Sequence, residues 1–153
     1  MNTYRREIVV LQELKRRGNN LPGFPKLVSY KETATSAEFL VNVSWVTRFD
    51  DSRLIEIDFF VIQALGSNIE SLTSLNHINR LSLATCYKFT YLLISNLRRL
   101  HDMNFVHNNL NLENILVGKT DPNMIYLVDF GLARHWRNPY TDRHEQKVQQ
   151  FKF

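Results

Sequence analysis

Apolar residues recur at helical spacing along the first segment. Tyr4, Ile8, Leu11 and Leu14 share one face and charges fill the other, which predicts a helix over residues 3–17. Asn19, Asn20, Pro22, Gly23 and Pro25 end it in a loop. The period then changes. Residues 26–30, 37–46 and 54–64 have strand character, with Phe39, Val41, Val43 and Trp45 alternating, and Asp50-Asp51-Ser52 predicts a turn before the third segment. Character shifts again at Leu65-Gly66-Ser67. From 82 to 103 helical periodicity returns, with Leu83, Tyr87, Tyr91, Ile94 and Leu97 on one face and Ser82 as N-cap. Short apolar pieces follow at 105–106, 115–117 and 125–128, separated by polar loops and a turn at 118–123. Beyond Arg134 the chain is polar and aromatic without a clear period, and no internal repeat is present.

Composition narrows the possible classes. The chain has 153 residues and is 44% hydrophobic along its whole length, which suits one ordinary domain or part of a larger one and argues against intrinsic disorder. The single cysteine, Cys86, excludes an internal disulfide framework and a cysteine-rich zinc site. The formal charge of +4 comes with basic clusters near the start (Arg5, Arg6, Lys15, Arg16, Arg17) and near the end (Arg134, Arg137, Arg143, Lys147). No basic run is long enough to define a nucleic-acid surface, and solvated helix faces and a loop account for these residues. No stretch approaches the ~18 consecutive apolar residues of a membrane span, and the first seven residues carry no signal core. The expected setting is intracellular, cytoplasm or nucleus, with neither membrane nor nucleic acid as partner.

Two loops concentrate the chemistry. His107-Asn108-Asn109-Leu110-Asn111-Leu112-Glu113-Asn114 follows one short apolar strand, Asp129-Phe130-Gly131 follows another, and a hairpin-like stretch joins them. Either piece alone is weak evidence. A His and an Asn seven apart, then a turn, then a strand ending in Asp-Phe-Gly, is a far rarer combination, and it resembles the catalytic loop and metal-binding triplet of protein kinases. The flanking sequence resembles the casein kinase I family in particular. Leu65-Gly66-Ser67-Asn68-Ile69-Glu70-Ser71-Leu72 is similar to that family's Leu-Gly-Pro-Ser-Leu-Glu-Asp-Leu, and Asn104-Phe105-Val106-His107 to its Asn-Phe-Ile-His. Asp129-Phe130-Gly131-Leu132-Ala133-Arg134 is similar to its Asp-Phe-Gly-Leu-Ala-Lys, and Gly23-Phe24-Pro25 to its Gly-Ile-Pro. Arg137, Thr141 and His144 also match, so the resemblance runs from about Tyr4 to His144; the vaccinia-related kinases are close relatives that fit slightly less well.

The resemblance implies an α+β, protein kinase-like two-lobed fold, incomplete at both ends. A partial N-lobe would occupy 1–64, and a partial C-lobe 65–153. Ile62, Gln63, Ala64 and Leu65 would form the hinge that docks an adenine. Asn114 and Asp129 stand where the family holds Mg²⁺. His107 takes a structural place in the loop. Glu7 stands at the family's helix C glutamate, but no lysine precedes it and no glycine precedes Gly18, so it reads as a solvated helix residue. Residues 33–58 are longer than the family's usual hairpin. The chain is also expected to stop within the activation segment, leaving part of the apolar face of the long helix without partners.

The catalytic loop departs from the pattern. Asn109 replaces the aspartate that accepts the substrate hydroxyl's proton, Asn111 replaces the lysine that meets the transferring phosphate, and Asn108 replaces an arginine. These changes favour a catalytically impaired pseudokinase acting through protein binding, its partner a kinase or a kinase substrate, with ATP and Mg²⁺ bound weakly or not at all. The alternatives are a fragment of a Ser/Thr protein kinase that binds ATP and phosphorylates protein hydroxyls, and a residual ATP-binding protein of low activity.

Overall fold

The computed structural model describes residues 3–18, 21–35, 56–74, 80–138, 141 and 143–144. Helix α1 (Thr3–Arg16) forms where the amphipathic period predicts it, and buries Ile8, Val10, Leu11 and Leu14. Glu13 accepts from both Arg16 (2.8 Å) and Arg17 (2.7 Å) at its C-terminal end, where cations also suit the helix dipole. Strand β1 (Leu27–Thr35) pairs antiparallel with β2 (Glu56–Ile62), from Leu27 opposite Ile62 to Thr35 opposite Glu56, with two irregularities in register. Helix α1 packs on this pair, and the Tyr4 hydroxyl donates to the Phe59 carbonyl at 2.8 Å. The strand predicted over 37–46 and the turn at 50–52 lie outside the described residues. The third expected strand is shorter than predicted, because Gln63 and Ala64 leave β2.

A short helix, α2 (Ile69–Ser74), follows, and the period did not reveal it. Asn68 caps it, its side-chain oxygen accepting the Ser71 N–H at 2.7 Å. The long helix α3 (Leu83–Asp102) starts at the predicted cap, where the Ser82 hydroxyl accepts the Thr85 N–H at 3.1 Å. Its inward side carries Phe89, Leu92, Leu93, Asn96, Leu97 and Leu100. The stripe of Leu83, Tyr87, Tyr91 and Ile94 is exposed by 61–73%. Asn104, at φ 65°, ends the helix in the left-handed region that an asparagine tolerates, and its N–H reaches the His101 carbonyl at 2.8 Å.

Two short strand pairings complete the architecture. Strand β3 (Phe105–Val106) pairs with β6 (Arg134–His135), and β4 (Ile115–Val117) pairs with β5 (Ile125–Leu127) as an antiparallel hairpin. The core runs continuously from α1 through Phe24 and Leu27 to Leu100, Ile125, Leu127 and Phe130. Gly23 ties the loop after α1 to β5. At φ 89° its carbonyl accepts the Leu127 N–H at 2.9 Å, and a Cβ placed there would overlap the amide of buried Asn96.

Candidate functional site

The two polar loops are brought together by the strands that carry them. β3 delivers the chain to His107, β4 and β5 separate Asn114 from Asp129, and β6 returns to close the Asp-Phe-Gly turn against β3. His107 is 3% exposed. Its Nδ1 accepts the Asn109 N–H at 3.3 Å, so the ring proton lies on Nε2 and is donated to the Val128 carbonyl at 3.0 Å. Burial pushes this imidazole below its ordinary pKa, against weaker upward pulls from the Val128 carbonyl and the Asp129 charge. A neutral histidine locking two strands and a turn is the structural role expected of it.

Asn109, Asn114 and Asp129 converge. Asn109 Nδ2 donates to Asp129 Oδ2 at 2.5 Å, and Asn114 Nδ2 donates to the same oxygen at 3.1 Å and to the Asn109 carbonyl at 3.0 Å. The Gly131 N–H lies 3.4 Å from the other carboxylate oxygen, Oδ1. Asp129 holds φ 62° and Asn108 φ 61°, left-handed positions that these residue types occupy more readily than most; the Asn108 amide donates to the Leu132 carbonyl at 3.2 Å.

Asn111 stands apart from this cluster. It is exposed, and its side-chain oxygen caps the 3₁₀ turn Leu112–Asn114 by accepting the Asn114 N–H at 2.9 Å. The sequence did not reveal this capping role, although the Asn-x-x-Asn spacing carries its signal. Of the expected hinge residues, Ile62 ends β2 opposite Leu27, and Gln63, Ala64 and Leu65 follow it, away from the loops in sequence. The Gln63 N–H is committed to the Lys26 carbonyl at 2.9 Å, the Gly66 N–H to the Val117 carbonyl at 2.9 Å, and Ala64 is exposed.

Glu7 corrects the sequence reading. It is half-buried rather than solvated, and its Oε1 accepts the Phe130 N–H at 3.4 Å. Burial first, and the Asp129 charge second, push its carboxyl above the ordinary range, while the Phe130 N–H holds it down. Phe130 is fully buried between Phe24 and His107, with ring centroids 6.2 and 5.2 Å away, so Glu7 is anchored to a fixed point of the core. Among the described residues no cation pairs with Glu7.

A profile of the protein kinase domain matches residues 2–151, and the chain belongs to that family. Within it the similarity is to casein kinase I. Over 90 residues, 57% of this chain, it is 31% identical to casein kinase I homolog 2 of Schizosaccharomyces pombe, covering 20% of that protein. It is likewise 31% identical over 90 residues to casein kinase I homolog RAG8 of Kluyveromyces lactis, covering 57% of this chain and 17% of the relative. A casein kinase I homolog of Encephalitozoon cuniculi is 29% identical over 92 residues, 60% of this chain and 30% of its own length. The chain thus spans less than a third of the length of these curated relatives.

ATP and Mg²⁺ are the usual ligands of the family, and the donor set here can be tested against them. Mg²⁺ favours several hard oxygen ligands in a near-octahedral shell. Asp129 Oδ2 already accepts two amide N–H groups, and Asn109 turns a donor rather than an oxygen toward it. Among the described residues no group of three His, Cys, Asp or Glu side chains is arranged to hold a metal ion. In this arrangement Asp129 Oδ2 is taken up by two amide donors, and Asp129 Oδ1 and the Asn114 side-chain oxygen would be the groups to meet a cation.

Proposed function

We propose that this chain is a kinase-fold protein-binding module that does not transfer phosphoryl groups. The carrying observation is the hydrogen bond from the Asn109 amide to the Asp129 carboxylate. A general base must take the hydroxyl proton of the substrate. An amide can orient that hydroxyl but cannot hold its proton at neutral pH, and losing such help costs typically ~10²–10⁴-fold in rate. The amide N–H is also spent on Asp129, the carboxylate that would otherwise face a metal.

Asn111 supports the same reading. A lysine there would place positive charge beside a transferring phosphate. The amide instead closes a turn of its own loop. A kinase fold that keeps its loops ordered by internal hydrogen bonds retains a surface for protein recognition, and the partner class that the family suggests is another kinase or a kinase substrate. No helix among the described residues is long and apolar enough to cross a membrane. We place the protein inside the cell, in cytoplasm or nucleus.

The test is phosphoryl transfer from labelled ATP with Mg²⁺ to an acidic, serine-rich protein, comparing the chain with Asp129→Ala. The expected result is incorporation no greater than in the variant. Transfer that Asp129→Ala abolishes would restore the alternative, a Ser/Thr kinase fragment with a working nucleotide site.

A further inference from the structure

Asn108 is the altered residue of the catalytic loop that the loss of phosphoryl transfer does not use. Its backbone sits at φ 61°, in the left-handed region that asparagine tolerates better than most residues, and its Nδ2 donates to the Leu132 carbonyl at 3.2 Å. That contact is the first of a row. The Ala133 N–H donates to the Phe130 carbonyl at 2.9 Å, Arg134 and His135 pair with Val106 and Phe105, and the Trp136 N–H reaches the Asn104 carbonyl at 3.0 Å. The Trp136 indole N–H then donates to the His101 carbonyl at 3.0 Å, in the last turn of α3, where helix carbonyls lack helical partners. Packing reinforces the row: the His135 ring lies 4.2 Å from that of Phe105, and Ala133 is buried. Every residue from 132 to 136 is thus tied either to the stretch 101–108 or to the Asp-Phe-Gly turn.

In kinases switched by phosphorylation, the segment after Asp-Phe-Gly is ordered by a phosphate that pairs with arginine. Such a contact is ionic and exists only while the phosphate does. The Asn108 amide is neutral and its acceptor is a backbone carbonyl, so no charge has to arrive for the bond to form.

We infer that residues 132–136 form a permanently closed strap, pinned by Asn108 and Trp136, whose closure does not depend on phosphorylation of the residues that follow. The strap uses neither Asn109 nor Asp129, so it stands whether or not nucleotide binds.

Amide hydrogen exchange of the full chain tests it, read at residues 133–136 and, as an internal reference, at the β4–β5 hairpin. Three variants are compared with wild type. Glycine adopts φ 61° without strain, so Asn108→Gly removes the amide alone. Trp136→Phe keeps an aromatic ring and loses the indole donor. Thr141→Glu sets a negative charge at an exposed position of the following segment, in imitation of a phosphate.

The expected result is protection at 133–136 in wild type that Thr141→Glu leaves unchanged. Exchange there should be about threefold to tenfold faster in Asn108→Gly and in Trp136→Phe, the span of one ordinary hydrogen bond, with the hairpin at wild-type rates. Free exchange at 133–136 in wild type, or protection that changes in Thr141→Glu, would mean a switch and overturns the inference. Rates that either Asn108→Gly or Trp136→Phe leaves unchanged overturn it too, as does an acceleration that the hairpin shares in equal measure.

Discussion

At position 109 an amide differs from a carboxylate by one nitrogen in place of one oxygen, and that exchange reverses the direction of a hydrogen bond. Asn109 donates to Asp129 at 2.5 Å, where two carboxylates would repel one another. Asn109→Asp should therefore destabilise the chain by about 1 kcal/mol, because a half-buried carboxylate loses one of its two amide donors and gains a like charge beside it. Its melting temperature should recover further in millimolar Mg²⁺ than that of the wild type. His107 sets a pH dependence. Its folded pKa lies below the unfolded value, so the unfolded state binds the proton first as pH falls. Stability from this group is complete above the unfolded value near 6.5, falls as pH drops below it, and levels off beneath the lowered folded value. Glu7 works in the opposite sense: its raised folded pKa makes stability fall as pH rises from 4.5 through the folded value. Urea unfolding midpoints of wild type and His107→Gln between pH 7.5 and 5.5 should thus converge as pH falls. The inward place of Glu7 was not legible in the sequence. One glutamate on an amphipathic helix gives the same period whether it meets water or a backbone N–H, and its partner, Phe130, lies 123 residues away.

The elements that were legible are those long enough to complete their own period. Helix α1 and the Ser82 cap of α3 follow from local spacing, and the β4–β5 hairpin from two apolar triplets around a turn. Helix α2 has six residues and strand β6 two, too few for a period to show. β6 exists through its pairing with β3, about thirty residues earlier, a non-local contact that local propensity does not encode. Ser82→Ala should cost about 1 kcal/mol in chemical denaturation, the usual value of a side-chain N-cap. Gly23→Ala should cost more, about 2–4 kcal/mol, because overpacking against Asn96 adds to the penalty of a left-handed backbone. The same measurement separates the two: a Gly23→Ala chain as stable as wild type would mean that the loop over α3 yields easily.

Over the whole molecule, the kinase resemblance was legible because the family's signals are short, fixed-spacing strings such as Asp129-Phe130-Gly131, and the family profile covers residues 2–151. The altered loop identities were equally plain. What the sequence could not supply was the new use of those side chains: Asn109 bonded to Asp129, Asn111 capping a turn, and Glu7 holding Phe130. In the proposed reading, these contacts keep the loops in order where an active kinase would employ nucleotide and metal. A thermal-melt titration of the full chain with ATP and Mg²⁺, with Asp129→Ala alongside, addresses that account most directly, because a ligand that binds the folded state alone must raise the melting temperature. The account predicts a cooperative melt that millimolar ATP and Mg²⁺ leave in place. A rise that Asp129→Ala removes would contradict it and show a nucleotide site in use.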